Sequence, residues 1–141
     1  MKNIFVYVFI LISLCVKGQT MDDFGRISLN SYISENIKIT QEAKSLILTK
    51  LKQMSSNYGM GGFSVNPRFV ITVDMNIGTK DIIAGPPQLI AKNIELTIFI
   101  GDAIEDKIYS STTMSLKGVG TNENKAFLNA FKKIQTKNKM I

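Results

Sequence analysis

Histidine is absent from the 141 residues, and cysteine occurs once, at Cys15. Without histidine there is no Ser-His-Asp or Cys-His catalysis, and no zinc site of the usual Cys/His kind. Most side-chain proton transfer near neutral pH rests on such groups. An enzyme is therefore not expected, nor any cofactor or metal site. Long apolar runs are also scarce. The single candidate, residues 4–16, is too short to cross a bilayer comfortably as a helix. It follows Lys2 and precedes Gly18 in MKNIFVYVFILISLCVKGQT, the layout of a secretory signal peptide.

Val16 and Gly18 suit the small-residue positions of a signal peptidase site. Residues 1–18 are thus read as signal peptide, 19–25 as a flexible mature N-terminus, 26–137 as one α+β domain and 138–141 as a tail. The protein is expected to be exported, in the periplasm or at the outer membrane, with no membrane span once the signal is cleaved. Acylation of Cys15 would call for a small residue before it; Leu14 stands there and argues against lipidation. Cys15 leaves with the signal, so the mature chain can form no disulfide. Its core has to hold by burial, which a domain of this length achieves without staples.

The whole chain carries 17 basic and 11 acidic residues, a net charge of +6. Loss of Lys2 and Lys17 leaves 15 basic residues and a net charge of +4. Much of the excess sits at the end, at Lys125, Lys132, Lys133, Lys137 and Lys139, and reads as a solvated helix face. Nucleic acid is not an expected partner of an exported protein.

Several segments alternate in hydropathy. In GRISLNSYIS, Ile27, Leu29 and Ile33 share one side. In RFVITVDMNIG, Phe69, Ile71, Val73, Met75 and Ile77 do; TKDIIAGPPQ then reads as a long hairpin loop. In AKNIELTIFIGD the inward set is Ile94, Leu96, Ile98 and Ile100. In KIYSSTTMSLKG it is Ile108, Met114 and Leu116, with Tyr109, Ser111, Thr113, Ser115 and Lys117 opposite. Two segments have helical spacing instead. Thr40 caps a helix with Ala43, Ile47, Leu51 and Met54 on its stripe and Gly59 as its stop. Thr121 or Asn122 caps a second, with Ala126, Phe127, Ala130, Phe131 and Ile134.

Each strand has one apolar and one polar face, whereas a sheet covered on both faces would show continuous apolar runs. The expectation is a two-layer α+β sandwich in the order β-α-β-β-β-α. It has one mainly antiparallel four-stranded sheet and both helices on one face.

GVGTNENK, following a strand and opening a helix, invites comparison with phosphate-binding loops. It lacks the Gly-Lys-Thr of a Walker loop and the third glycine of the dinucleotide fingerprint. Gly118, Gly120 and Thr121 are read instead as a structural turn, the glycines supplying backbone freedom. The acidic residues Asp74, Glu95, Glu105 and Asp106 read as solvated surface. Two segments are candidate partner-binding loops: Tyr58, Met60 and Phe63 among the glycines of NYGMGGF, and Ile82 and Ile83 beside Pro86-Pro87.

GRISLNSYI, NYGMGGFSVNPRF, FVITVDMNIGTKDI, ELTIFIGDAI and TTMSLKGVGTNENKAFLNAFKKI resemble a set of exported, mostly uncharacterised proteins of Bacteroidetes-type bacteria. The resemblance spans residues 25–134. The strand–glycine–alanine-helix ending, with Gly118, Gly120, Ala126 and Ala130, also resembles a wider group. That group holds the LPP-twenty lipoproteins, the CsgG-like secretion lipoproteins, the LpoB-type activators of cell-wall synthases and the TolB amino-terminal domain. The resemblance implies a non-catalytic cell-envelope module, an adaptor or assembly factor with a protein partner. The alternative is a small-ligand or glycan-binding protein that uses the polar sheet face, where Tyr32, Phe99 and Tyr109 would stack on a ligand beside Asp74 and Glu95.

Overall fold

A computed structural model describes residues 27–62 and 67–136. The elements are β1 (Leu29–Ser31), α1 (Gln41–Asn57), β2 (Phe69–Ile83), β3 (Leu89–Asp102), β4 (Lys107–Gly120) and α2 (Glu123–Lys132). The sheet order is β1-β2-β3-β4. β1 runs parallel to β2, and the other neighbours are antiparallel. This is the expected α+β architecture, a curled mixed sheet with both helices on its apolar face.

Cross-strand register builds that face. Ile71 lies opposite Ile100, Val73 opposite Ile98 and Met75 opposite Leu96; Ile94 lies opposite Leu116. Ala43, Ile47, Leu51 and Met54 of α1 and Phe127, Ala130 and Phe131 of α2 close over them in one buried cluster. Thr40 caps α1 by accepting the amide of Ala43. Gly59 ends α1 at φ +72°, a conformation that disfavours any residue with a Cβ. Asn122, rather than Thr121, caps α2 by accepting the amide of Lys125 at 2.8 Å.

Four local features depart from the sequence reading. β1 has only three residues, because after the Tyr32 amide bonds the Ile71 carbonyl the chain leaves the sheet. β2 runs on to Ile83, so Ile82 and Ile83 stand on a strand arm and not in a loop. A bulge between Ile77 and Lys80 breaks the alternation there, and the ladder with β3 continues past it. On β4 the ladder slips between Ile100 and Gly101. The slip turns Ile108 out of the apolar face, and it is 63% exposed.

The fourth departure concerns Gly118 and Gly120. Both lie inside β4, not in a turn, and neither is among the positive-φ residues. They are small because α2 lies directly on them. A Cβ on Gly118 would fall on the carbonyl oxygen of Ala126, 2.7 Å from the amide nitrogen of Ala130 and 2.8 Å from its Cβ. A Cβ on Gly120 would come within 2.5 Å of the Ala126 nitrogen. The glycines on the strand and the alanines on the helix form one close contact.

Gly118→Ala is accordingly expected to destabilise by about 3 kcal/mol or more, as an overpacked backbone contact. Gly59→Ala, with nothing within 4 Å of its new Cβ, should lose only about 1 kcal/mol through its φ. Urea unfolding of both variants checks the ranking; equal losses would contradict the steric assignment.

Candidate binding site

The two helices do not cover the whole apolar face. Beyond the end of α1 it lies open, floored by Ile98 and Ile100 of β3 and by Ser110, Thr112 and Met114 of β4. Met54 and Tyr58 wall one side; Lys133 and the following Gln135 and Thr136 wall the other. The cleft encloses about 280 Å³, near the lower end of the range for ligand pockets.

The nominated residues divide. Tyr58 stands on the cleft rim, 41% exposed. Met60 packs against the core, and its carbonyl accepts the Leu29 amide at 2.9 Å, which makes it structural. Phe63 lies outside the described residues. Ile82 and Ile83, 59% and 44% exposed, stand near the arm tip beside the cis Pro86–Pro87 bond. Ile82 pairs with Ile90, eight residues along β3 from the cleft residue Ile98, or roughly 26 Å at the strand rise. The two candidate segments therefore do not form one surface.

The sheet edges differ in how they are treated. The β1 edge is met by residues 60–62, through the Met60 carbonyl and a bridge from Leu29 to Gly61. On β2, residues 34–38 lie beside Val73, Asp74 and Met75, and the bulge, Lys80 and Asp81 follow. Bulges and charges are common protections of an edge. Lys80 also binds Glu123 at 2.9 Å, tying the arm to the start of α2. Lys80, and then Lys92, hold the Glu123 carboxyl below its usual pKa. On β4, α2 reaches over the edge: Asn129 Nδ2 donates to the Val119 carbonyl at 2.8 Å and Lys133 Nζ to the Lys117 carbonyl at 2.7 Å. Along residues 111–115 no such cover exists among the described residues. This uncovered edge borders the cleft, and nothing in the local sequence announced it.

The polar face of the sheet does not gather the three aromatics. Tyr32 follows the Ser31–Ile71 pair of β1 and β2, and Phe99 pairs with Thr72. Tyr109, displaced by the β4 slip, turns the other way, with its ring 6.2 Å from Phe69 and its hydroxyl 3.4 Å from Asp102. Asp74 pairs with Thr97 and Glu95 with Asn76, so the two carboxylates do not face each other.

Sequence reading passed over Asp102, the most buried carboxylate among the described residues, 2% exposed. Arg68 Nε donates to it at 2.6 Å, and the amides of Ile104 and Glu105 donate at 2.9 and 3.1 Å. Burial pushes its pKa up, but the Arg68 bond and the two amides outweigh burial and hold it at about 2. Tyr109 beside it is raised, first by burial and then by the carboxylate charge. Arg68 also binds Glu105 at 2.7 Å. The cluster locks the β3–β4 turn; a carboxyl held ionised at this value is a poor proton donor at neutral pH. Its only sequence signal was an Asp placed to receive amides two and three residues on.

Among the described residues no group of three His, Cys, Asp or Glu is placed to hold a metal ion. No described helix is long and apolar enough to cross a membrane. No protein-family model and no curated protein match the chain. Solved structures share part of the fold. One is a minor lipoprotein from Acinetobacter baumannii, with TM-score 0.45, 15% identity, and 69% of this chain and 67% of that chain covered. Another is a protein from Caulobacter crescentus described as a lipoprotein, with TM-score 0.42, 10% identity, and 74% and 73% covered. At these values the likeness carries no functional argument.

Asp102 sets a pH dependence. Its folded pKa of about 2 lies below the ordinary 3.8. Its contribution is therefore complete above the ordinary value and is lost as pH falls through the folded one. The Tm difference between the protein and Asp102→Asn should be constant from neutral pH down to about 5 and shrink between about 4 and 2. A difference that stays constant to pH 2 would contradict the assignment.

Proposed function

We propose that the protein is an exported, non-catalytic module of the cell envelope that acts as an adaptor or assembly factor for another envelope protein. The observation that carries this is the open apolar cleft with Tyr58 on its rim, bordered by an uncovered strand edge. Apolar surface next to unpaired backbone is suited to protein contact. The signal-like residues 1–18 support export, and the absence of histidine supports binding over catalysis. The ligand-binding alternative loses its main support, because Tyr109 stands apart from Tyr32 and Phe99.

Replacing Tyr58 with a photo-crosslinking residue tests the reading in cells. A discrete adduct with one envelope protein is expected, on a chain that has lost residues 1–18. Tyr58→Ala should reduce capture of that protein while its Tm changes little, since the side chain is partly solvated. A cytoplasmic chain with residues 1–18 intact and no adduct would overturn the proposal.

A further inference from the structure

The open part of β4 has a defined backbone geometry. The Lys117 and Val119 carbonyls point out of the sheet, toward α2. In a regular antiparallel strand the amide and carbonyl of one residue point to the same side, and the sides alternate. The β3–β4 register is unbroken from Ile90–Gly120 to Ile100–Ser110. Residues Ser111, Thr113 and Ser115 therefore also direct their amides and carbonyls outward. No described residue bonds to these groups. The segment between Ser110 and Leu116, SSTTMSL, contains no charge, no proline and no bulge, the features that usually protect an edge. The intervening residues Ser110, Thr112 and Met114 face the cleft.

We propose that β4 binds an extended, acidic segment of the partner protein by strand addition. This rests on the envelope-module reading and names the chemistry of its partner. The outward groups of Ser111, Thr113 and Ser115 form the main-chain ladder, and every second side chain of the added segment enters the cleft beside Thr112 and Met114. Such pairing takes affinity from the backbone and specificity from pockets for alternate side chains.

Charge selects this occupant. Lys133 lines the cleft, with no acidic residue among its described lining, while on the other face of the sheet Lys117 at the end of the open edge stands near one carboxylate, Glu95 opposite Ser115. One ammonium proton of Lys133 serves the Lys117 carbonyl; an ammonium has three. The chain's own residues 137–141 carry two lysines and no acidic side chain, so they do not supply the acidic segment. A second copy pairing through its own β4 would bring Ser and Thr and no carboxylate.

The probe is an end-blocked, fluorescein-labelled peptide alternating Val or Leu with Glu, and its counterpart with Lys in place of Glu. Fluorescence anisotropy should show saturable binding of the Glu peptide to the mature protein and weaker binding of the Lys peptide. Ser115→Pro removes one outward amide and should weaken binding about tenfold. Lys117→Glu keeps the backbone carbonyl that Lys133 holds and should narrow or reverse the Glu-over-Lys preference. Amide exchange of the unaltered protein covers the case in which Ser115→Pro does not fold. The Glu peptide should slow exchange at Ser111, Thr113 and Ser115 and leave Thr112 and Met114 unchanged.

Equal binding of both peptides, no binding, or unprotected edge amides would overturn the proposal. So would a concentration-dependent dimer abolished by Ser115→Pro, which would make the occupant a second copy. The two readings fail separately. A Tyr58 adduct insensitive to Ser115→Pro removes the edge proposal and leaves the module reading; peptide binding without any cellular adduct does the reverse.

Discussion

The contact between Gly118 and Gly120 on β4 and Ala126 and Ala130 on α2 is the constraint on which the rest of the structure depends. With no side chain on the strand and only a methyl on the helix, the two backbones touch. That depth lets Phe127 and Phe131, whose rings stack at 6.0 Å, reach the apolar face of the sheet. It also brings Asn129 and Lys133, one turn apart, within reach of the outward carbonyls of Val119 and Lys117. The helix thereby buries its own stripe and covers the adjacent end of the strand edge.

The same contact decides where cover stops. α2 is short, and beyond Lys133 the chain runs toward α1, where Asn57 Nδ2 donates to the Thr136 carbonyl. Among the described residues, the other half of β4 has neither helix above it nor backbone beside it. Cleft and open edge are two consequences of one docking geometry. At the opposite end of the meander, Asp102 and Arg68 close the β3–β4 turn, and the slip beside that turn sends Tyr109 toward them. The polar sheet face loses an aromatic and the turn gains a hydroxyl.

Much of the fold was legible. The stripe of α1, its Thr40 cap and the inward sets of β2 and β3 follow from residues close together in the chain, and they recur in the structure except at Ile77, which stays exposed beside the bulge. The candidate site was legible only in part. Tyr58 reached the cleft rim, whereas Met60 was drawn into the core by its bond to Leu29. Ile82 and Ile83 were read as loop residues because a bulged strand with both faces in water has no alternation to display.

By itself the sequence determined which chemistry is unavailable, which segments are helical or extended, and which face of each strand is apolar. Those are matters of residue type and short-range period. Only the tertiary structure decided that Gly118 and Gly120 serve a packing contact and not a turn. It alone decided which way Tyr109 points and which length of strand edge stays open. The reason is physical: each of these depends on cross-strand register and on where a helix lands. A slip of one residue, or a helix seated an ångström higher, changes them without changing any local pattern.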